Sequence, residues 1–216
     1  MLFKSTLLAS AFALCAFSAP LPASDSDCDP VGLTAANIVS ISEKTQSCTG
    51  APSPDECADA TTAATAINTS FQKYGITSTG EKAALVAYML FESGDFKYKI
   101  NHFPGRPGQG TRMMAMPPVI EKYATSVAGA DAVAQALAPG GDVGLNATLA
   151  LVNADDEKSF GSAAWYLTST CTPEVRAGLT AETVVGWHAF LTECVGTTAT
   201  EDRDVPWVKA KQALLG

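Results

Sequence analysis

The sequence has no CxxC pair and no HxxxH spacing, and it contains only two histidines, His102 and His188. A zinc site built from such pairs is therefore not expected. The Gly-Lys-Ser/Thr ending of a phosphate-binding loop is missing, as is the GxSxG elbow of a serine hydrolase. No sustained alternation of apolar and polar residues marks a strand, which points to a mainly α fold. Past the first residues there is no charge-free apolar stretch of the ~18 residues a membrane span requires. Acidic residues are absent from Phe96 to Ile120, although the chain as a whole carries a net charge of −8. That overall sign argues against nucleic acid or an anionic membrane as a partner.

What is present fits a secreted protein. Lys4, the apolar run Leu7–Phe17 and Ala16-x-Ser18 read as a signal peptide over residues 1–18, cut after Ser18. Removing Lys4 takes the charge from −8 to −9. Residues 19–30, rich in Pro, Ser and Asp, then form an exposed arm, and residues 31–216 a single domain large enough for an ordinary core. With Cys15 in the leader, Cys28, Cys48, Cys57, Cys171 and Cys194 remain, an odd number. Cys48–Cys57 and Cys171–Cys194 are the expected local bridges, although connectivity stays open from sequence alone. Asn68-Thr-Ser and Asn146-Ala-Thr are acceptor sequons, expected at the surface of a glycoprotein.

Helical periods recur along the chain. Val31–Ser42 spaces Leu33, Ile38 and Ile41 helically, and Asp55–Tyr74, opened by Pro54-Asp55-Glu56, is Ala-rich and amphipathic. Ser78-x-x-Glu81 has the form of a capping box, so a helix begins near Thr79 and runs to Ser93, with Gly94 as its stop. Leu85, Tyr88, Met89 and Glu92 share one face of it, which places a carboxylate at the end of an apolar stripe. Further helices are expected over Val119–Ala128, over Asp131–Leu137, after Asp155-Asp156, and from Thr180, with Val184, Trp187, Phe190 and Leu191 on the buried side. Leu145–Asn153 is short and apolar, and Val205–Leu215 closes the chain. Trp165, Tyr166 and Trp187 read as core or groove packing.

Between these helices, Asp95–Gly110 is a Gly/Pro-rich loop or short β-ribbon without helical period, a length more often functional than filler. Lys97, Lys99, Arg106 and Arg112 make this segment basic, either as solvated charge or as an anion-contacting site. Gly105, Gly108 and Gly110 permit close approach of a ligand to the backbone, and Arg106, Gln109 and Arg112 offer hydrogen-bond donors. His102 reads as a loop hydrogen-bonder. Glu92 is either a helix-end acid paired with a base or a desolvated general acid able to protonate a glycosidic oxygen. Asp95, three residues on, is the nearest second carboxylate, with Asp155 and Asp156 as remote alternatives.

Glu92-Ser93, followed after a loop by Gly108-Gln109-Gly110 and Met113-Met114, resembles the lysozyme-like superfamily of lytic transglycosylases and goose-type lysozymes. There an E-S pair ends a helix and a G-x-G-L-M-Q-like segment lines the sugar cleft; here Thr111 and Arg112 intervene and no Gln follows. Ala164-Trp165-Tyr166 stands where that superfamily has an aromatic near the acid. The pattern also looks like small secreted muramidase-like proteins of filamentous fungi. The resemblance implies a disulfide-stabilised, mainly α (α+β lysozyme-like) domain with a cleft loop. It further implies a glycoside hydrolase or lytic enzyme cleaving β-1,4 bonds of peptidoglycan or a related aminosugar polymer. Glu92 and Asp95 would be catalytic, and Ser93, His102, Arg106, Gln109, Arg112 and Tyr166 would bind substrate. No cofactor or metal is expected, and a monomer is the simplest state. The rival expectation is a non-catalytic secreted binding or effector protein that holds an anionic glycan or protein through the basic 97–112 loop.

Overall fold

The computed structural model describes residues 32–215. The expected leader, the arm, Cys15 and Cys28 lie outside them. Ten α-helices build the fold, with no strand among the described residues, and no helix there is long and apolar enough to cross a membrane. The mainly α expectation holds, and the β contribution is confined to isolated bridges, Ile100 with Gly110 and Gly110 with Ala115.

The central rod is α3 (Thr79–Glu92). Ser78 caps it, accepting from the Glu81 backbone N–H at 3.2 Å, as the S-x-x-E pattern predicts. The Glu81 carboxylate accepts from the Ser78 hydroxyl at 3.0 Å through one oxygen and pairs through the other with Arg176 Nε at 2.8 Å, across to α8 (Pro173–Thr180). Every residue from Ala83 to Leu90 is buried. The helix is thus covered all round and not along one stripe, and Glu92 lies just past this sealed segment. The most extensive helix pairing in the fold is α10 (Glu201–Leu215) along α3, with α7 (Asp156–Thr170) and α8 also in contact. Gly80 makes the α8 crossing possible, because a Cβ there would sit 2.0 Å from the Leu179 carbonyl oxygen.

Around this rod, α1 (Ala35–Ile41) packs on α10 and α2 (Ala60–Tyr74) on α7, while α4 (Pro117–Ala128), α5 (Ala130–Leu137) and α6 (Gly141–Val152) form a flank. Two helix starts differ from expectation. Asp59, not Pro54-Asp55, begins α2, its carboxylate accepting from the Thr62 N–H at 2.9 Å. The preceding residues are held in a turn by the Cys48–Cys57 disulfide, whose Cα atoms lie 5.8 Å apart. Thr180 ends α8 instead of opening a helix; Glu182 follows with φ 57°, and α9 (Val184–Ala189) starts from a Thr183 cap. Val184 is consequently exposed, while Trp187, Phe190 and Leu191 are buried as expected. A π-helical turn, Phe190–Val195, carries Cys194 to Cys171, Cα to Cα 5.1 Å. Trp187 is a core residue, stacked on Trp207 at 6.0 Å and donating from Nε1 to Asp204 at 2.9 Å.

Candidate functional site

Glu92 is the last residue of α3, and the chain leaves the helix through a tight knot. Ser93 is fully buried; its hydroxyl donates to the Met89 carbonyl at 2.6 Å and accepts from the Phe96 N–H at 3.0 Å. The expectation that Ser93 touches substrate is therefore corrected: its side chain is spent turning the chain. Asp95 and Phe96 both take positive φ, 58° and 63°, and this swings Asp95 toward α1. There it accepts from the Ser42 hydroxyl at 2.7 Å and faces Lys44 at 3.2 Å. Asp95 lines a cavity of about 620 Å³ with Lys44 and Lys209, and Glu92 does not. The pairing of Asp95 with Glu92 as catalytic carboxylates is corrected on that ground.

Glu92 opens instead onto two smaller cavities. One, about 240 Å³, is lined by Tyr88, Tyr166, Thr197 and Arg203 among others. The second, about 380 Å³, is lined by Phe91, Tyr98, His102 and Phe103 among others. Glu92, Gln109 and Met114 belong to both, so a groove passes on either side of the carboxylate. Arg203 Nη1 donates to Glu92 Oε1 at 2.6 Å, Arg203 Nη2 to the Thr197 hydroxyl at 3.2 Å, and the guanidinium lies 4.0 Å from the Phe91 ring centre. Burial pushes the Glu92 carboxyl above the ordinary glutamate range, against the opposing pull of Arg203. The Tyr88 hydroxyl, also raised by burial and by the Glu92 charge, donates to the Met113 carbonyl at 3.2 Å.

The far wall is the 98–114 loop. Glu56 holds it from below: one carboxylate oxygen accepts the Lys99 and Ile100 N–H groups at 2.9 and 3.0 Å, and the other meets His102 Nε2 at 2.6 Å. Gln109 Nε2 donates to the Met114 carbonyl at 3.0 Å. At Gly110 the loop doubles on itself so closely that a Cβ would approach the Lys99 carbonyl oxygen to 2.4 Å. Tyr166 closes the groove from α7, its hydroxyl donating to the Cys194 carbonyl at 3.0 Å.

His102 lines the larger of these two cavities, Tyr166 the smaller and Gln109 both, each with Glu92. Arg106 is exposed on the loop and lines neither cavity. Arg112 is the main correction among the binding residues, since it is 1% exposed. Its Nη1 donates to the carbonyls of Phe96 and Tyr98 at 2.9 and 3.1 Å, and its Nη2 to the Glu56 carbonyl at 2.7 Å and to Asp156 at 3.3 Å. Lys97 and Lys99 behave alike, donating to the carbonyls of Ser47 at 2.8 Å and Asn153 at 3.3 Å. Lys97, Lys99 and Arg112 thus spend donors on main-chain carbonyls, while Arg106 is exposed. Asp155 caps α7 and Asp156 holds Arg112, which removes both as second acids.

Asn68 is half-buried; its Nδ2 donates to the Leu33 carbonyl at 2.7 Å and its Oδ1 accepts the Leu33 N–H at 3.0 Å, a two-point tie. Asn146 is exposed on α6, its Oδ1 accepting from the Gly108 N–H at 2.8 Å.

No protein-family model matches the chain, and no solved structure matches it. A bifunctional dioxygenase-epoxy alcohol synthase of Fusarium oxysporum (strain Fo5176) is 40% identical to it over 160 residues, 69% of this chain. The chain spans only 12% of the length of that relative.

Proposed function

We propose that this chain is a secreted glycoside hydrolase or lytic enzyme that cleaves β-1,4 bonds of peptidoglycan or a related aminosugar polymer, with Glu92 as general acid. The observation that carries this reading is the place of Glu92. It is a desolvated carboxyl at the end of a sealed helix, set at the junction of two cavities. A protonated Glu92 gives its proton to the glycosidic oxygen as the C–O bond breaks, and the resulting carboxylate then takes a proton from the attacking hydroxyl, of water or of the sugar itself. One acid can serve both steps, and no second carboxylate is required beside it. Tyr166 gives an apolar face on which a sugar ring rests, and Gln109 and His102 offer polar contacts along the loop side.

The alternative, a non-catalytic protein that grips an anionic partner through residues 97–112, loses support because Lys97, Lys99 and Arg112 aim their donors inward. The two activities named for the Fusarium protein belong to a chain of which this one spans 12%, and neither is taken over here. The test is turbidity clearing and reducing-end release from purified peptidoglycan and chitin, with wild type beside Glu92→Gln. Full activity in the variant sinks the assignment; binding without cleavage by wild type favours the alternative.

A further inference from the structure

Glu92 and Arg203 form an ion pair inside the groove where the acid is needed, and this pairing works against the role. An arginine held 2.6 Å from the carboxylate favours its ionised form, which has no proton to give. The pair is nonetheless not sealed, since the two side chains remain 19% and 11% exposed and line the same cavity of about 240 Å³. Among the described residues a single Nη1–Oε1 contact joins them. A guanidinium can offer a planar two-point fork to a carboxylate, and here much of that fork is unused by Glu92. Arg203 is also held independently of Glu92, by Thr197 through Nη2 and by the Phe91 ring beneath it. It would stay in place if Glu92 let go.

We propose that Arg203 is an exchangeable partner: a carboxylate carried by the bound glycan takes over the Arg203 guanidinium and releases Glu92 to act as the acid. This rests on the reading of Glu92 as general acid and adds to it a substrate class, an aminosugar chain bearing a carboxylate beside the cleaved bond. It also makes Arg203 a positioning and specificity residue. The step is one of proton balance alone. Ligand carboxylate, Glu92 carboxylate and one solvent proton become a ligand carboxylate on Arg203 and a neutral Glu92. The titratable and charged groups that line these cavities with Glu92 are Tyr88 from α3, Tyr166 from α7, Tyr98 and His102 from the loop and Arg203 from α10. Among these, only Arg203 is a cation within hydrogen-bond distance of the carboxylate. Once a second carboxylate occupies that cation, burial and like charge both drive Glu92 to bind a proton. A neutral aminosugar chain cannot make the exchange.

The test uses three probes: an oligosaccharide alternating N-acetylglucosamine and N-acetylmuramic acid, the same chain with its lactyl carboxyls reduced to alcohols, and an N-acetylglucosamine oligomer. Calorimetry in buffers of different ionisation enthalpy reads affinity and proton uptake together. Wild type should bind the carboxylated chain about tenfold to a hundredfold more tightly than either neutral chain. Only the carboxylated chain should bring uptake of about one proton. Arg203→Gln should lose both the preference and the uptake, whereas Glu92→Gln should keep the preference and lose the uptake. Equal binding of the natural and reduced chains by wild type overturns the proposal, as does preference without uptake. That comparison needs no variant to fold. If wild type cleaves neutral and carboxylated chains at one rate and Glu92→Gln abolishes both, the exchange fails while the acid assignment stands. If neither chain is cleaved but preference and uptake are seen, the exchange stands as a binding device and the acid assignment fails.

Discussion

Two arginines border the same loop and do opposite things. Arg112 lies under it, 1% exposed, with its Nη donors given to the carbonyls of Glu56, Phe96 and Tyr98 and to Asp156. Arg203 lies across the groove from it, bound to a carboxylate, a threonine hydroxyl and an aromatic face. Three of the four partners of Arg112 are carbonyls fixed by the fold, and with its guanidinium buried it acts as a clip that joins three stretches of chain and also holds Asp156. Arg203 instead lines an open cavity together with its carboxylate partner, where a ligand can reach it. The residue type is shared; burial and access set the two apart.

The sharpest break of this comparison is on the Arg203 side. Glu92→Gln keeps an oxygen to accept from Arg203 but has no transferable proton. Cleavage should fall about 10²- to 10⁴-fold with the circular dichroism spectrum unchanged. On the other side the loss should be in stability. Arg112→Met leaves buried carbonyls and Asp156 without their donor, at a cost of about 3–5 kcal/mol by urea denaturation. A variant as stable as wild type would show that the clip is not needed. A milder contrast uses the two acids that flank the helix end. Asp95→Ala removes a half-exposed contact to Lys44 and one hydroxyl bond to Ser42. It should cost about 1 kcal/mol and leave cleavage intact. A loss of cleavage as large as that of Glu92→Gln would return Asp95 to the site.

Local chemistry made much of this legible. The Ser78 cap, the helix to Glu92, the Gly94 stop, both disulfides and the helical class all follow from neighbours in sequence. What escaped is what lies far apart in the chain. Arg203 is 111 residues from Glu92, in a closing segment whose polar start gives no sign of where α10 lands. Arg112 misled for a related reason: its partners are main-chain carbonyls, which every residue has and no sequence pattern marks. Asp95 misled because its direction depends on two consecutive positive φ values at non-glycine residues, which the exit from α3 imposes. The helix that ends at Thr180 was legible in principle, since Thr172-Pro173-Glu174 is a sound start signal.

The smallest expected effect is also the one that weighs burial against Arg203 directly. Burial is the larger influence on Glu92 and raises its proton affinity; Arg203 lowers it. The folded protein then holds this proton more tightly than the unfolded chain, where the carboxyl has its ordinary value of 4.5. Folded protein binds more protons than unfolded across the interval above that value, so stability falls as pH rises there. The contribution is complete below 4.5 and is lost as pH climbs through the raised folded value. Glu92→Gln has no such titration. Melting temperatures of the two proteins, followed from below pH 4.5 to neutrality, should therefore shift in favour of the variant as pH increases. The opposite drift, wild type gaining on the variant, would mean that Arg203 outweighs burial and holds Glu92 as a fixed anion. Glu92 would then be an anchor like Asp156 beneath Arg112, and the difference between the two arginines would disappear.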